Sequence, residues 1–247
     1  MRFRLLLCCF GKDHSEADLQ VAIAALNSPQ AHPTHGQPLC LSILEGPQQG
    51  EKLYITTKGL FESTHPSLPV RFGTGEDADY RLGPEEGLEP LHFQIRYDEL
   101  LGQYQVQDLG AEAGVCVRID EAMLVEDEMA ISFEDVVMEL EVLDAKGISV
   151  HFIEGEKVGQ SMQWRPEDSP IRFGRMADCQ VKFEDAGLSR CQCRLFYSNG
   201  NWKLQDGDGL KSSTNGTWVM VQSCFPLGVK TVFKAGRMLF EAVTADY

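Results

Sequence analysis

From Pro38 onward, short apolar runs rich in β-branched and aromatic residues alternate with turn residues roughly every 8–12 positions. Glycine, aspartate, proline and asparagine mark these turns, and no helical period persists through this part of the chain. The pattern is typical of antiparallel strands that close into a sandwich or a barrel. We therefore predict an all-β fold for residues 39–247.

A different pattern precedes the β-rich part. A capping-box-like start at Ser15 is followed by apolar residues at helical spacing, and Pro29 comes soon after the last of them. The apolar residues are Leu19, Ala22, Ile23 and Leu26. This spacing predicts one short amphipathic helix from Glu16 to Leu26, which either packs on the first domain or meets a partner. Residues 27–38 contain three prolines and are interpreted as a linker.

The β-rich part repeats itself. Four segments match four later segments in the same order, at offsets of 98 to 109 residues. The matched pairs are residues 41–46 with 150–155, 70–77 with 171–178, 87–95 with 187–195, and 104–108 with 202–206. Coincidence explains four ordered matches poorly. We predict two tandem β-sandwich domains, residues 39–145 and 146–247, after an N-terminal arm, helix and linker at residues 1–38.

Charge is distributed unevenly between the two predicted copies. Residues 1–145 hold 9 Lys+Arg against 26 Asp+Glu, whereas residues 146–247 hold 13 against 11. The total of −15 argues against non-specific nucleic-acid binding, which requires a basic face. We expect the first copy to repel an anionic ligand, whereas the charge of the second copy does not require it to.

The N-terminal arm combines cations with adjacent thiols. Arg2 and Arg4 precede a six-residue apolar run that ends in Cys8, Cys9 and Phe10 and is shorter than a secretory signal requires. Two acyl chains on Cys8 and Cys9 would anchor the protein to a membrane; the alternative is an apolar arm packed on the body.

The cysteine pattern indicates a reducing compartment. The chain has eight cysteines and no Cys-x-x-Cys motif. We interpret Cys191 and Cys193 as structural thiols rather than a metal pair, and we expect an intracellular, cytoplasmic protein.

The second copy carries an ordered series of polar motifs: Gly174-Arg175, Ser189-Arg190, Trp202 with Asp206, and Ser213-Thr-Asn-Gly-Thr217. This series resembles the forkhead-associated (FHA) domain, an eleven-stranded β-sandwich that typically binds phosphothreonine in partner proteins. The resemblance covers about residues 148–243. Through the repeat, residues 39–144 resemble a second FHA domain.

The chemistry of these residues suits a phosphate monoester, which has three acceptor oxygens and about −1.5 to −2 charges. An arginine can donate to two of those oxygens at once, and hydroxyl and backbone donors on neighbouring loops can complete the site. The resemblance implies that the phosphate contacts are Arg175, Ser189, Arg190 and Thr214. It implies that Asn215 holds the peptide main chain.

The second copy departs from the family pattern at three places. Gln192 stands where the family usually has a histidine that braces the binding loops, and its amide hydrogen-bonds with a different geometry. The span from Asp206 to Asn215 is nine positions, against five from Asp108 to Ala113 in the first copy. An Asn-Gly pair that commonly follows the next strand is missing.

The first copy matches the second in its strand segments but lacks the residues of the implied phosphate site. Thr74 replaces the arginine of the Gly-Arg pair, Glu89 and Pro90 replace the Ser-Arg pair, and His92 is retained. A carboxylate at position 89 opposes phosphate binding through like charge. We therefore expect no phosphopeptide binding by the first copy.

These observations predict a non-enzymatic adaptor that binds a phosphothreonine-containing partner protein through its second domain, without a cofactor or a metal ion. The sequence has no nucleophile elbow, phosphate-binding Gly-Lys-Ser/Thr loop, kinase signature or His-Glu-x-x-His motif. The alternative is a scaffold component that uses FHA folds without phosphate recognition. Convergence of Arg175, Ser189 and Thr214 on one surface point would favour the adaptor.

Overall fold

The computed structural model describes residues 37–61, 63–64 and 67–244. Within these residues the chain forms 21 β-strands and two single-turn 3₁₀ helices, Asp144–Lys146 and Pro166–Asp168, with no α-helix. The all-β prediction is confirmed for this part of the chain. The predicted helix from Glu16 to Leu26 and the Cys8–Cys9 pair lie outside the described residues.

The strands follow the predicted turn spacing. Strands before residue 145 are β1 (Leu39–Glu45), β2 (Lys52–Thr56), β3 (Gly59–Leu60), β4 (Val70–Gly73), β5 (Tyr80–Arg81), β6 (Phe93–Asp98), β7 (Gln103–Asp108), β8 (Val115–Arg118), β9 (Met123–Leu124), β10 (Met129–Phe133) and β11 (Val136–Val142). Later strands are β12 (Ile148–Glu154), β13 (Ser161–Trp164), β14 (Ile171–Gly174), β15 (Val181–Lys182), β16 (Cys193–Ser198), β17 (Asn201–Asp206), β18 (Trp218–Met220), β19 (Cys224–Leu227), β20 (Lys230–Ala235) and β21 (Met238–Thr244).

Alternating burial explains why these segments are strands. In β1, β11 and β21, every second residue is buried and the residues between them are partly exposed. Side chains of a strand point to opposite faces in turn, so one face of each strand joins a core. The fully buried side chains of β1 are Leu39 and Leu41, with Ile43 almost fully buried.

Three sheets build the molecule. One has eleven strands in the order β13-β12-β11-β10-β18-β8-β20-β21-β1-β2-β3. The other two have five strands each, in the orders β19-β7-β6-β4-β5 and β15-β14-β16-β17-β9. Two separate hydrophobic clusters lie between the sheets, and we call the two resulting units the first body and the second body.

The two bodies exchange strands. The second body contains β9–β11, which precede residue 145, and its buried cluster includes Phe133 packed against Phe183 at 5.8 Å between ring centroids. The first body contains β19–β21, and its cluster includes Phe233 packed against Phe93 at 5.5 Å. Each core is therefore completed by strands from the other half of the chain.

Two adjacent strands mark the crossing between the bodies. Strands β8 and β18 pair antiparallel, with Val117 opposite Val219 and Arg118 opposite Trp218. Beyond these pairs, β9 joins β17 and β19 joins β7. The large sheet is continuous because this pair links its two halves.

The exchange changes the expected charge of the second body. Residues 119–145 contain ten Asp+Glu and no Lys+Arg, and most of this segment packs in the second body. Residues 119–218 together hold 10 Lys+Arg and 19 Asp+Glu. The second body is therefore acidic, although residues 146–247 alone are close to neutral, because the acidic strands join it.

The predicted boundary at residue 145 remains a prediction about the sequence repeat, since the cores themselves are discontinuous in sequence.

Among the described residues, no helix has the length and apolar character needed to span a membrane.

Candidate functional site

Three loops of the second body form the candidate site. The loop after β14 carries Arg175, the loop before β16 carries Ser189 and Arg190, and the loop between β17 and β18 carries Thr214 and Asn215. All three loops lie at the same end of the β14-β16-β17 sheet, because these strands are antiparallel neighbours. The predicted site residues therefore lie at one end of one body.

Backbone contacts hold the first two loops together. The Arg175 amide donates to the Ser189 carbonyl at 3.2 Å, and the Met176 amide donates to the Arg190 carbonyl at 3.2 Å. Gly174 permits this approach, since a Cβ there would lie 2.4 Å from the Arg190 carbonyl oxygen. The glycine of the Gly-Arg pair is thus required by the packing of the loop.

Ser189 joins the second loop to the third. Its Oγ accepts a hydrogen bond from the Thr214 amide at 2.8 Å, and the two hydroxyl oxygens are 3.3 Å apart. Ser189 is therefore bonded both to Arg175, through its carbonyl, and to Thr214, through its hydroxyl. The three loops converge at this serine.

Gln192 braces the same loops from the interior of the second body. Its side chain is fully buried, and its Oε1 accepts from the Ser189 amide at 3.2 Å. Its Nε2 donates to the Gly216 carbonyl and to Ser213 Oγ, both at 2.9 Å. One amide side chain thus fixes the second and third loops.

His92 makes the matching contacts in the first body. One ring nitrogen, Nδ1, accepts from the Glu89 amide at 3.3 Å, and Nε2 lies 3.0 Å from the Gly114 carbonyl oxygen. These partners correspond to Ser189 and Gly216 in the repeat. Gln192 therefore occupies the bracing position with equivalent bonds, despite its different geometry.

Asp206 folds the third loop. Its Oδ1 accepts from the hydroxyls of Ser213 and Thr217, both at 2.7 Å, and its Oδ2 accepts from the Ser213 amide at 2.8 Å. Both carboxylate oxygens are thus occupied inside the loop. The adjacent Thr214 and Asn215 are left exposed at the surface.

Arg175 and Arg190 are the cations of the site. Both are exposed, and neither guanidinium has a hydrogen-bond or ion-pair partner among the described residues. By contrast, Arg172 on the neighbouring strand pairs with Asp178 at 3.2 Å. Two cations beside Ser189 thus remain available to an anion.

The insertion between Asp206 and Thr214 is an ordered turn. Asp208 Oδ1 accepts from the amides of Leu210 and Lys211, both at 2.8 Å, and these bonds lower the pKa of Asp208. Gly207 has a φ of +69°, and a Cβ there would lie 1.8 Å from the Lys211 carbonyl oxygen. The turn holds Leu210 and Lys211 in solvent.

Two residues of the first half lie beside the third loop, and the sequence predicted neither. Glu134, on the turn between β10 and β11, accepts a hydrogen bond from Asn215 Nδ2. Arg118 packs beside Gly216, where a Cβ would lie 2.9 Å from its Cδ. Glu134 reaches the site on the exchanged strands, and Arg118 reaches it through the pairing of β8 with β18. The sequence signal for this arrangement was the absence of an Asn-Gly pair after β18. Such a pair would favour a tight turn there and would return the chain to the same body.

The corresponding end of the first body lacks these groups. The Thr74 amide donates to the Glu89 carbonyl at 3.0 Å, so the frame of the loops is the same. The polar contacts at this end of the first body are different: Arg237 pairs there with Glu86 at 2.8 Å. Glu89 occupies the position of Ser189.

Cys191 and Cys193 lie beneath the site. Burial raises the pKa of Cys191 to about 11 and raises that of the fully buried Cys193 well above its ordinary value. Both thiols are therefore protonated at neutral pH. Among the described residues, no three His, Cys, Asp or Glu side chains are grouped to hold a metal ion.

Comparison with known proteins identifies one region. No curated protein matches the chain. The sequence model of the FHA domain matches residues 171–236, about a quarter of the chain, from β14 to the turn after β20. All five predicted site residues lie within it. Its members are phosphopeptide-binding modules of protein–protein interaction and are typically not enzymes. Residues 171–236 thus carry the signature of an FHA domain.

Proposed function

We propose that this protein is a non-enzymatic adaptor that binds a phosphothreonine-containing partner protein. Arg175, Ser189, Arg190 and Thr214 contact the phosphate, and Asn215 holds the main chain of the peptide. The observation that carries this proposal is the junction at Ser189. There the Thr214 amide meets the serine hydroxyl at 2.8 Å, beside two arginines with no partner among the described residues.

Charge-assisted hydrogen bonds supply most of the binding free energy. The guanidiniums of Arg175 and Arg190 neutralise the dianionic phosphate, and the two hydroxyls donate to its remaining oxygens. Because the site is exposed, mobile ions screen these attractions. Affinity for a phosphopeptide therefore falls as the salt concentration rises.

We further propose that residues 39–145 derive from a second FHA domain that does not bind phosphate, since Glu89 replaces the serine.

The proposed location is the cytoplasm, with membrane tethering if Cys8 and Cys9 carry acyl chains. Both parts of this proposal rest on the sequence pattern.

The test is binding of a degenerate phosphothreonine peptide pool, with the unphosphorylated pool as a control. Arg175→Ala should weaken binding at least about tenfold, the effect expected for loss of a charged hydrogen bond. Arg165→Ala is the matched control, because Arg165 is 81% exposed and lies on the loop after β13. Equal binding of the two pools, or equal effects of the two variants, would contradict the proposal.

A scaffold is the second candidate, and the strand exchange favours it. Each hydrophobic core contains strands from both halves of the chain, so the two bodies form one interdependent unit. Such a unit can present two fixed surfaces to an assembly without reading a phosphate. If the phosphorylated and unphosphorylated pools bind equally, the scaffold becomes the favoured function.

A further inference from the structure

The turn between β10 and β11 brings negative charge to the rim of the candidate site. Glu134 and Asp135 form this two-residue turn, which joins Phe133 to Val136. Both residues are exposed, and Glu134 accepts a hydrogen bond from Asn215. The turn therefore adjoins the residue proposed to hold the peptide main chain.

Among the described residues, neither Glu134 nor Asp135 has an ion-pair partner. Arg118, which packs beside Gly216, is already paired with Asp120 at 3.2 Å. Among the described residues, the candidate site thus has two unpaired arginines beside Ser189 and two unpaired carboxylates beside Asn215.

The strand exchange determines the sign of this charge. The equivalent turn between β20 and β21 is Gly236-Arg237, and it lies in the first body, where Arg237 pairs with Glu86. If each half of the chain closed on itself, Gly236 and Arg237 would stand beside the candidate site instead of Glu134 and Asp135. The exchange thus replaces a cation with two carboxylates.

We propose that Glu134 and Asp135 select phosphothreonine peptides that carry a lysine or arginine within about three residues of the phosphothreonine. This inference rests on the proposed function of the site and names the class of peptide that it accepts. A basic side chain next to the main-chain segment held by Asn215 meets the carboxylates of the turn. An acidic side chain there meets like charge.

The experiment compares phosphothreonine peptides that differ at one flanking position, with Lys, Ala or Glu placed in turn at each of the three residues on either side. Each peptide is also made without phosphate. In the native protein, Lys should bind about two- to fivefold more tightly than Ala at one or more positions, the range of an exposed ion pair. The Glu peptide should bind more weakly than Ala.

Glu134→Gln should bring the Lys-to-Ala ratio towards one, because glutamine keeps the acceptor for Asn215 and removes the charge. Glu128→Gln is the matched control. Glu128 is also an exposed glutamate at positive φ on the same acidic segment, but it lies at the opposite end of β10, about 20 Å away.

Three results overturn the inference, and they are distinguishable. An unchanged Lys-to-Ala ratio in Glu134→Gln, with phosphate-dependent binding intact, contradicts the selectivity alone. Equal tightening of all three peptides by Glu134→Gln would make the glutamate a blocking group instead. If no phosphorylated peptide binds better than its unphosphorylated form, the proposed function fails together with this inference.

Discussion

A single buried amide, Gln192, hydrogen-bonds two of the three loops that form the candidate site. It reaches Ser189 on one loop and Gly216 on the other, and it is fully excluded from solvent. The sequence predicted the position of this brace but not that glutamine could serve in it, because hydrogen-bond geometry is decided by the surrounding backbone. Phe173, whose carbonyl accepts from the Gln192 amide, fixes that backbone.

Replacing Gln192 with alanine should destabilise the protein by about 2–3 kcal/mol, because buried donors and acceptors on both loops lose their partner. Gln192→His should recover most of that loss, since His92 makes the corresponding contacts in the first body. The free energy of unfolding in urea measures both effects. A change of less than about 0.5 kcal/mol in the alanine variant would contradict the bracing role.

At the scale of elements, the candidate site depends on close backbone contact between its loops. The strands β14, β16 and β17 could be predicted from apolar periodicity and turn residues, and so could the order of the three loops. The exchange of β9–β11 for β19–β21 could not. A strand satisfies its hydrogen bonds and buries its apolar face equally well in either body, so local sequence does not specify which one it joins.

Gly174→Ala tests the approach of two of these loops. A Cβ at this position would lie 2.4 Å from the Arg190 carbonyl oxygen, so the loop must move. We expect a loss of at least about 2 kcal/mol in stability, as for strain in a packed backbone, together with weaker phosphopeptide binding.

Gly187→Ala is the matched control for this substitution. Its Cβ would meet only the flexible Asp185 carboxylate, at 3.2 Å, and the change should stay within about 1 kcal/mol. Thermal or urea unfolding of both variants gives the comparison. Similar losses of stability in the two variants would show that contact with the 189–190 loop does not cause the destabilisation in Gly174→Ala.

At the scale of the whole molecule, the exchange makes one unit of the two halves of the chain. Both Val115–Asp120 and Trp218–Gln222 run through the crossing without a glycine, proline or Asn-Gly turn. A chain that lacks a reversing turn tends to continue into a neighbouring domain rather than fold back. The acidic residues 119–145 thereby become part of the body that carries the candidate site, which sequence order alone would not suggest.

The central claim is that each body, and the rim of the site with it, is assembled from both halves of the chain. Leu124 in β9 lies opposite Lys203 in β17. If the halves closed on themselves, Leu124 would instead face Gln105, the repeat equivalent of Lys203. Paired cysteines at these positions distinguish the two arrangements, because directly opposed residues of antiparallel strands are close enough for a disulfide.

The most direct measurement is disulfide mapping by mass spectrometry in two double variants of the full chain, oxidised under mild conditions. We predict a cross-link in Leu124→Cys/Lys203→Cys and none between the introduced cysteines in Leu124→Cys/Gln105→Cys. The reverse result would contradict the exchange, and with it the placement of Glu134 beside Asn215.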